Sequence, residues 1–87
     1  MTEEDTVRCW LVEREYTDKG LVTLVYAPTD GERALIEQKS AVRLGEVTAA
    51  REIRPDQLVA VDEPDERDRY EAEASRMADR HDPDDAI

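Results

Sequence analysis

The stretch DERDRYEAEASRMADRHDPDD, Asp65 to Asp85, sets the single histidine of the chain among carboxylates. His81, Asp82, Asp84 and Asp85 offer one nitrogen and several oxygens, a donor set of the kind that holds a divalent cation. Zinc sites draw three or four convergent ligands, mostly Cys and His, and magnesium takes few carboxylates together with substrate phosphates. Acids flanking Pro83 have no scaffold to make them converge, so these four are weak metal candidates. His81 reads instead as a helix-terminal side chain packed on Met77. Cys9 as a nucleophile needs a neighbouring base and a lowered pKa. It is flanked by Arg8 and Trp10 and aligned with Val7 and Leu11, which makes it a small core hydrophobe. No carboxylate pair stands out among 23 acids, Gly20, Gly31 and Gly45 are too far apart for a phosphate loop, and no Ser-His-Asp spacing exists. The expectation is a non-enzymatic protein with no catalytic residue, no cofactor and no assigned metal.

The aromatic residues carry a different chemistry. Trp10, Tyr16 and Tyr26 fall in the first hairpin, and regular antiparallel alternation puts Trp10 and Tyr26 on one face with Arg8 and Arg14 alongside. Tyr, Trp and Arg are the residues enriched at protein–protein hot spots. These five are the candidate interaction surface, weighed against the equally physical reading that a chain without Phe builds its core from Trp and Tyr.

Composition sets the context. The chain has 87 residues and a formal net charge of −11, from 23 acids against 12 bases, of which only Lys19 and Lys39 are lysines. Such a field repels phosphate backbones and anionic lipid, so neither direct nucleic-acid binding nor membrane binding is expected. Abundant Asp and Glu with scarce Lys suit a cytoplasm at molar salt, where the Debye length falls to ~3 Å and carboxylate repulsion is screened. The lone cysteine and the acidic start MTEEDT agree with a cytoplasmic location.

The elements that must position these residues follow from periodicity. After a frayed lead-in over 1–6, VRCWLVEREY (Val7–Tyr16) and LVTLVYA (Leu21–Ala27) read as strands, the second apolar on both faces and therefore central. TDKG and PTDG are turns, Asp30-Gly31 being a strong hairpin signal. The piece from Glu32 to Leu44 carries both a strand alternation and a helical stripe (Leu35, Lys39, Val42), and strand is preferred over 32–39. VTAAREI (Val47–Ile53) reads as a weaker fourth strand, RPDQL as a turn and VAV (Val59–Val61) as a short extended lead to a helix. Asp62 or Glu63 caps that helix, Pro64 suits its first turn, and Tyr70, Ala74, Met77, Ala78 and His81 form its apolar stripe. Asp65–Arg69 and Glu73–Arg76 are spaced to pair along it. The fold class is α+β: a small antiparallel meander of three or four strands with one C-terminal amphipathic helix packed on it. One domain spans 7–81, and 82–87 form a loose acidic tail.

The segments VRCWLVEREYTDKGLVTLVYAPTDGERALIEQ, VTAAREI and DRYEAEASRMADRHDPDD resemble, over about Val7 to Asp85, a group of small acidic haloarchaeal proteins that constitute a domain of unknown function. The resemblance implies a halophilic cytosol and carries over no catalytic residue, ligand or partner. The expected role is a protein-interaction module whose partner is another protein or itself, since a homodimer would cover a sheet face that one helix cannot. A small-ligand or metal-binding domain is the alternative, and an accessory to a nucleic-acid-binding protein a third.

Overall fold

A computed structural model describes residues 5–87. Its elements are β1 (Val7–Tyr16), β2 (Leu21–Ala27), β3 (Arg33–Ser40), β4 (Ala50–Ile53), β5 (Val59–Ala60) and α1 (Pro64–Arg80), with short 3-10 turns at Ala41–Arg43 and Pro55–Gln57. The α+β class holds, but the antiparallel sheet has five strands in the order β4-β1-β2-β3-β5, not three or four. Only β1–β3 form a meander: β4 crosses over to flank β1, and β5 returns to the far edge beside β3. The segment expected as a strand from Val47 pairs as one only from Ala50. The frayed lead-in expected over 1–6 falls largely on residues 1–4, which lie outside the described residues.

Both faces of the sheet are buried, as the two-sided apolar pattern of β2 requires. Trp10, Val12, Val25, Ala27 and Ala34 pack under Tyr70 and Ala74 of α1. On the other face Cys9, Leu11, Val22, Leu24, Tyr26 and Ile53 pack with Val47, Leu44 and Leu58. The chain covers this second face itself, with the β3–β4 and β4–β5 connections. It therefore needs no second copy to do so, which removes the reason given above for self-association.

The short β4–β5 connection also curves the sheet. Ile53 and Val59 lie on opposite edges, and the steps between them, three in a 3-10 turn, span about 16 Å. The edges of a flat five-stranded sheet would be about 19 Å apart. The sheet therefore curls toward the side crossed by the connection, and the Tyr26 face is concave.

One irregularity decides where the aromatics go. From Tyr16↔Val22 to Glu13↔Val25 the β1–β2 register is regular, but then Leu11 pairs with Tyr26 and Trp10 with Ala27. Val12 is the extra residue of a β-bulge. Without it, Trp10 would share a face with Tyr26 as the alternation predicts; with it, the two residues lie on opposite faces.

The helix runs from Pro64 to Arg80 with Glu63 as N-cap and His81 as C-cap. Neither expected capping carboxylate makes a side-chain cap bond. Instead Arg67 holds the first turn by donating from Nε to Val61 O (2.7 Å) and from Nη2 to Asp62 O (3.4 Å). Tyr70 and Ala74 are buried as the stripe predicts, whereas Ala78 is exposed. Arg76 pairs with Glu73, but Arg69 pairs with Glu66 and with Glu13 of β1 rather than with Asp65. No helix among the described residues is long and apolar enough to cross a membrane.

The segment 82–87 is not loose. Ala50 N donates to Pro83 O (2.9 Å), Ala49 N to Asp85 O (2.8 Å) and Ile87 N to Val47 O (2.8 Å), and Ile87 packs against both core clusters. Backbone groups of 47–50 that would otherwise be left without partners recruit it.

Candidate functional site

The five residues proposed as an interaction surface are not brought together. Trp10 (6% exposed) and Tyr26 (2%) are core on opposite faces. Arg8 is exposed and donates from Nε to Glu52 Oε2 at 2.8 Å, which together with Thr6 holds the Glu52 carboxyl below its usual range. Arg14 reaches across to Ile87 O at 3.3 Å. Tyr16, at the turn end of β1, is 60% exposed and is the only aromatic of the set at the surface.

The metal candidates lie near one another but do not converge as a donor set. His81 Nδ1 lies 3.6 Å from Asp85 Oδ2, and the Asp82 amide donates to that same oxygen at 2.9 Å. Asp85 thus closes the turn after the helix. Among the described residues no group of three or more His, Cys, Asp or Glu side chains is placed to hold a metal ion. Cys9 is fully buried, and burial pushes its thiol up to about 11, the opposite of an activated nucleophile.

The concave face holds a half-open hollow of about 340 Å³ lined by Leu24, Tyr26, Lys39, Leu44, Glu46, Val47, Thr48 and Arg51. Its two cations, Arg51 and Lys39, are both engaged by Glu37. The Arg51 guanidinium stacks 5.0 Å from the Tyr26 ring centroid and donates to Glu37 Oε1 at 2.8 Å, while Lys39 Nζ lies 3.7 Å from the same oxygen. Glu37 thus bridges both cations and fixes β4 to β3 across the curved sheet.

What the structure leaves unused is an edge. On the β4 side, the tail covers 49 and 50. On the other side β5 pairs with β3 only at Arg33↔Ala60 and Ala34↔Val59. From Leu35 to Ser40 the outer edge of β3 has no strand beside it among the described residues. The direction of its backbone groups is fixed by two bonds. Val61 N donates to Glu32 O (2.9 Å), so even-numbered residues point outward, and Ala41 N donates inward to Gly20 O (2.8 Å). Ala34 uses its outward groups on Val59, which leaves those of Ile36, Gln38 and Ser40 to solvent. Large apolar side chains flank this edge: Ile36 is 58% exposed, Val59 of β5 55%, and Val42, just past the end of β3, 91%. An open edge with exposed hydrophobes is a feature that proteins ordinarily suppress. Sequence alternation predicts a strand here but not its place near the rim, which depends on β5.

The sequence model of a family of unknown function, DUF7967, matches residues 3–87, nearly the whole chain. The chain belongs to the DUF7967 family. No curated protein and no solved structure matches it significantly. In this DUF7967 member the outer edge of β3 is the surface with unused bonding capacity among the described residues.

Proposed function

We propose that this DUF7967 protein is a non-enzymatic interaction module of a high-salt cytoplasm that binds a protein partner by adding a strand to the outer edge of β3. The observation that carries the reading is the run of outward backbone groups at Ile36, Gln38 and Ser40, with Ile36, Val42 and Val59 exposed around it. Strand addition draws affinity from main-chain hydrogen bonds and selectivity from alternate side chains. The buried Cys9 thiol gives no support to catalysis, and the two cations of the hollow, Arg51 and Lys39, are both directed at Glu37.

The test compares the tagged protein with its Gln38→Pro variant. Proline removes an outward N–H while an edge strand tolerates it. Both are used for capture from a native lysate in molar salt, and hydrogen exchange is measured on the captured complex. A partner lost with Gln38→Pro, together with protection of the Ile36, Gln38 and Ser40 amides, supports the reading. A partner retained by Gln38→Pro with those amides unprotected overturns it.

A further inference from the structure

Resting on that edge reading, we infer that the strand added to β3 is β3 of a second copy, paired antiparallel about a twofold axis through Gln38. A twofold perpendicular to the sheet keeps opposed residues on one face, so only registers centred on a residue need comparison. Centred on Ile36, the pairing sets Lys39 opposite Arg33 of the second copy and asks Ala34, already bound to Val59, for bonds it cannot give. Centred on Glu37, it opposes two carboxylates and again meets Ala34. Centred on Gln38, it pairs Ile36 with Ser40, Gln38 with Gln38, and Ser40 with Ile36. Each pair then exchanges both backbone bonds, and every outward group left open finds a partner.

The charges select the same register. Glu37 then faces Lys39 of the second copy and Lys39 faces its Glu37, on the concave side, so β3 is self-complementary although the chain as a whole is strongly acidic. Past Ile36 the second copy continues into its Ala41–Arg43 turn, which carries Val42 toward Val59 and draws the exposed hydrophobes of this rim into one contact. The net charge of −11 on each copy opposes association at long range. Dimerisation therefore strengthens with salt, since screening removes the long-range repulsion while the backbone bonds and apolar contact persist.

Two measurements test the register and the partner. The first is sedimentation equilibrium of the full chain from 0.1 to 3 M KCl. The second is mild oxidation of Gln38→Cys, whose Cα atoms would sit about 5.5 Å apart in a hydrogen-bonded pair, within disulfide range. Cys9 is buried and does not compete. Expected are a dimer that tightens with salt, a covalent dimer from Gln38→Cys but not from Ile36→Cys, and about tenfold weaker association for Lys39→Glu. A folded chain that stays monomeric at millimolar concentration in 3 M KCl overturns self-pairing. So does a dimer insensitive to Lys39→Glu, or one that cross-links as readily from Ile36→Cys. If that monomer still protects its edge amides in a captured complex, the edge reading stands with a different partner. If those amides stay unprotected there, both fall.

Discussion

Arg69 of α1 reaches Glu13 of β1: its Nη2 lies 2.9 Å from Glu13 Oε1, an oxygen shielded from solvent, without a well-aligned N–H. The contact exists because the regular register from the turn sets Glu13 opposite Val25, on the helix side, just before the bulge at Val12. Arg69 also pairs with Glu66 and lies 5.0 Å over the Tyr70 ring, so the guanidinium cements the helix to the bulged strand. Arg69→Met should destabilise the protein by about 1–2 kcal/mol, because it strands a shielded carboxylate. Glu13→Gln added to Arg69→Met should recover part of that loss. A double-mutant cycle in denaturant checks it, and strict additivity would mean the pair is not coupled.

Gly31 should be the glycine that tolerates substitution least. Its φ is +67°, and an added Cβ would collide with the Arg67 carbonyl and lie 2.7 Å from Glu71 N. The Pro28–Gly31 turn thus packs directly on the helix backbone. Gly20, at φ +80°, has open space around it. Gly31→Ala should therefore cost about 2–4 kcal/mol, the positive-φ penalty plus overpacking, and Gly20→Ala only about 1 kcal/mol. Equal denaturation midpoints for the two variants would contradict this placement of the turn.

The parts of this fold that were legible in the sequence are those in which local signals and packing agree. LVTLVYA alternates on both faces and is central; Asp30-Gly31 marks the turn and Gly31 has the positive φ; the Tyr70–Ala74 stripe lies on the sheet. The bulge was invisible because each strand is regular by itself, and the extra residue exists only in their pairing. It is enough to separate Trp10 from Tyr26 and dissolve the expected aromatic surface. Strand β5 is two residues long and carries no periodicity. The acidic tail has no local preference and is ordered by the backbone groups of 47–50, a demand that arises only after β4 crosses to β1. The open edge of β3 was hidden for the same reason.

The tail makes a direct prediction. Removing residues 83–87 exposes the amides of Ala49 and Ala50 and takes Ile87 from both core clusters. The shortened chain should lose about 2–4 kcal/mol, and Ile87→Ala alone about 1–2 kcal/mol, for a partly buried side chain. Chemical denaturation in molar salt reads both. A shortened chain as stable as the full one would show that these bonds contribute nothing.

Cys9 gives the pH dependence. Burial is the main cause that raises its thiol from 9.0 to about 11. The folded state therefore holds this proton more tightly than the unfolded chain. Stability from the thiol is complete below pH 9 and is lost as pH rises through about 11. Between pH 8 and 11 the wild type should lose about 2 kcal/mol more than Cys9→Ala. The tyrosines, whose hydroxyls burial also raises, titrate in both proteins and cancel in the comparison. Parallel stability curves would place the thiol in contact with water, as would rapid reaction with a disulfide reagent at pH 8.

Ionic strength decides between two opposed electrostatic effects. Lowering salt from molar to ~0.1 M lengthens the Debye screening distance from ~3 to ~10 Å. Ion pairs such as Arg8–Glu52 and Arg51–Glu37 gain from this, but exposed pairs are worth only about 0–1 kcal/mol each. Against them stands a net charge of −11, from 23 acids and 12 bases. The repulsion is the larger effect because it acts between many charges over the whole surface. The melting temperature should therefore fall as salt is withdrawn. Lys39→Glu should steepen that fall, since it places a second carboxylate beside Glu37, and a melting temperature constant from 3 to 0.1 M KCl would count against adaptation to a salt-rich cytoplasm.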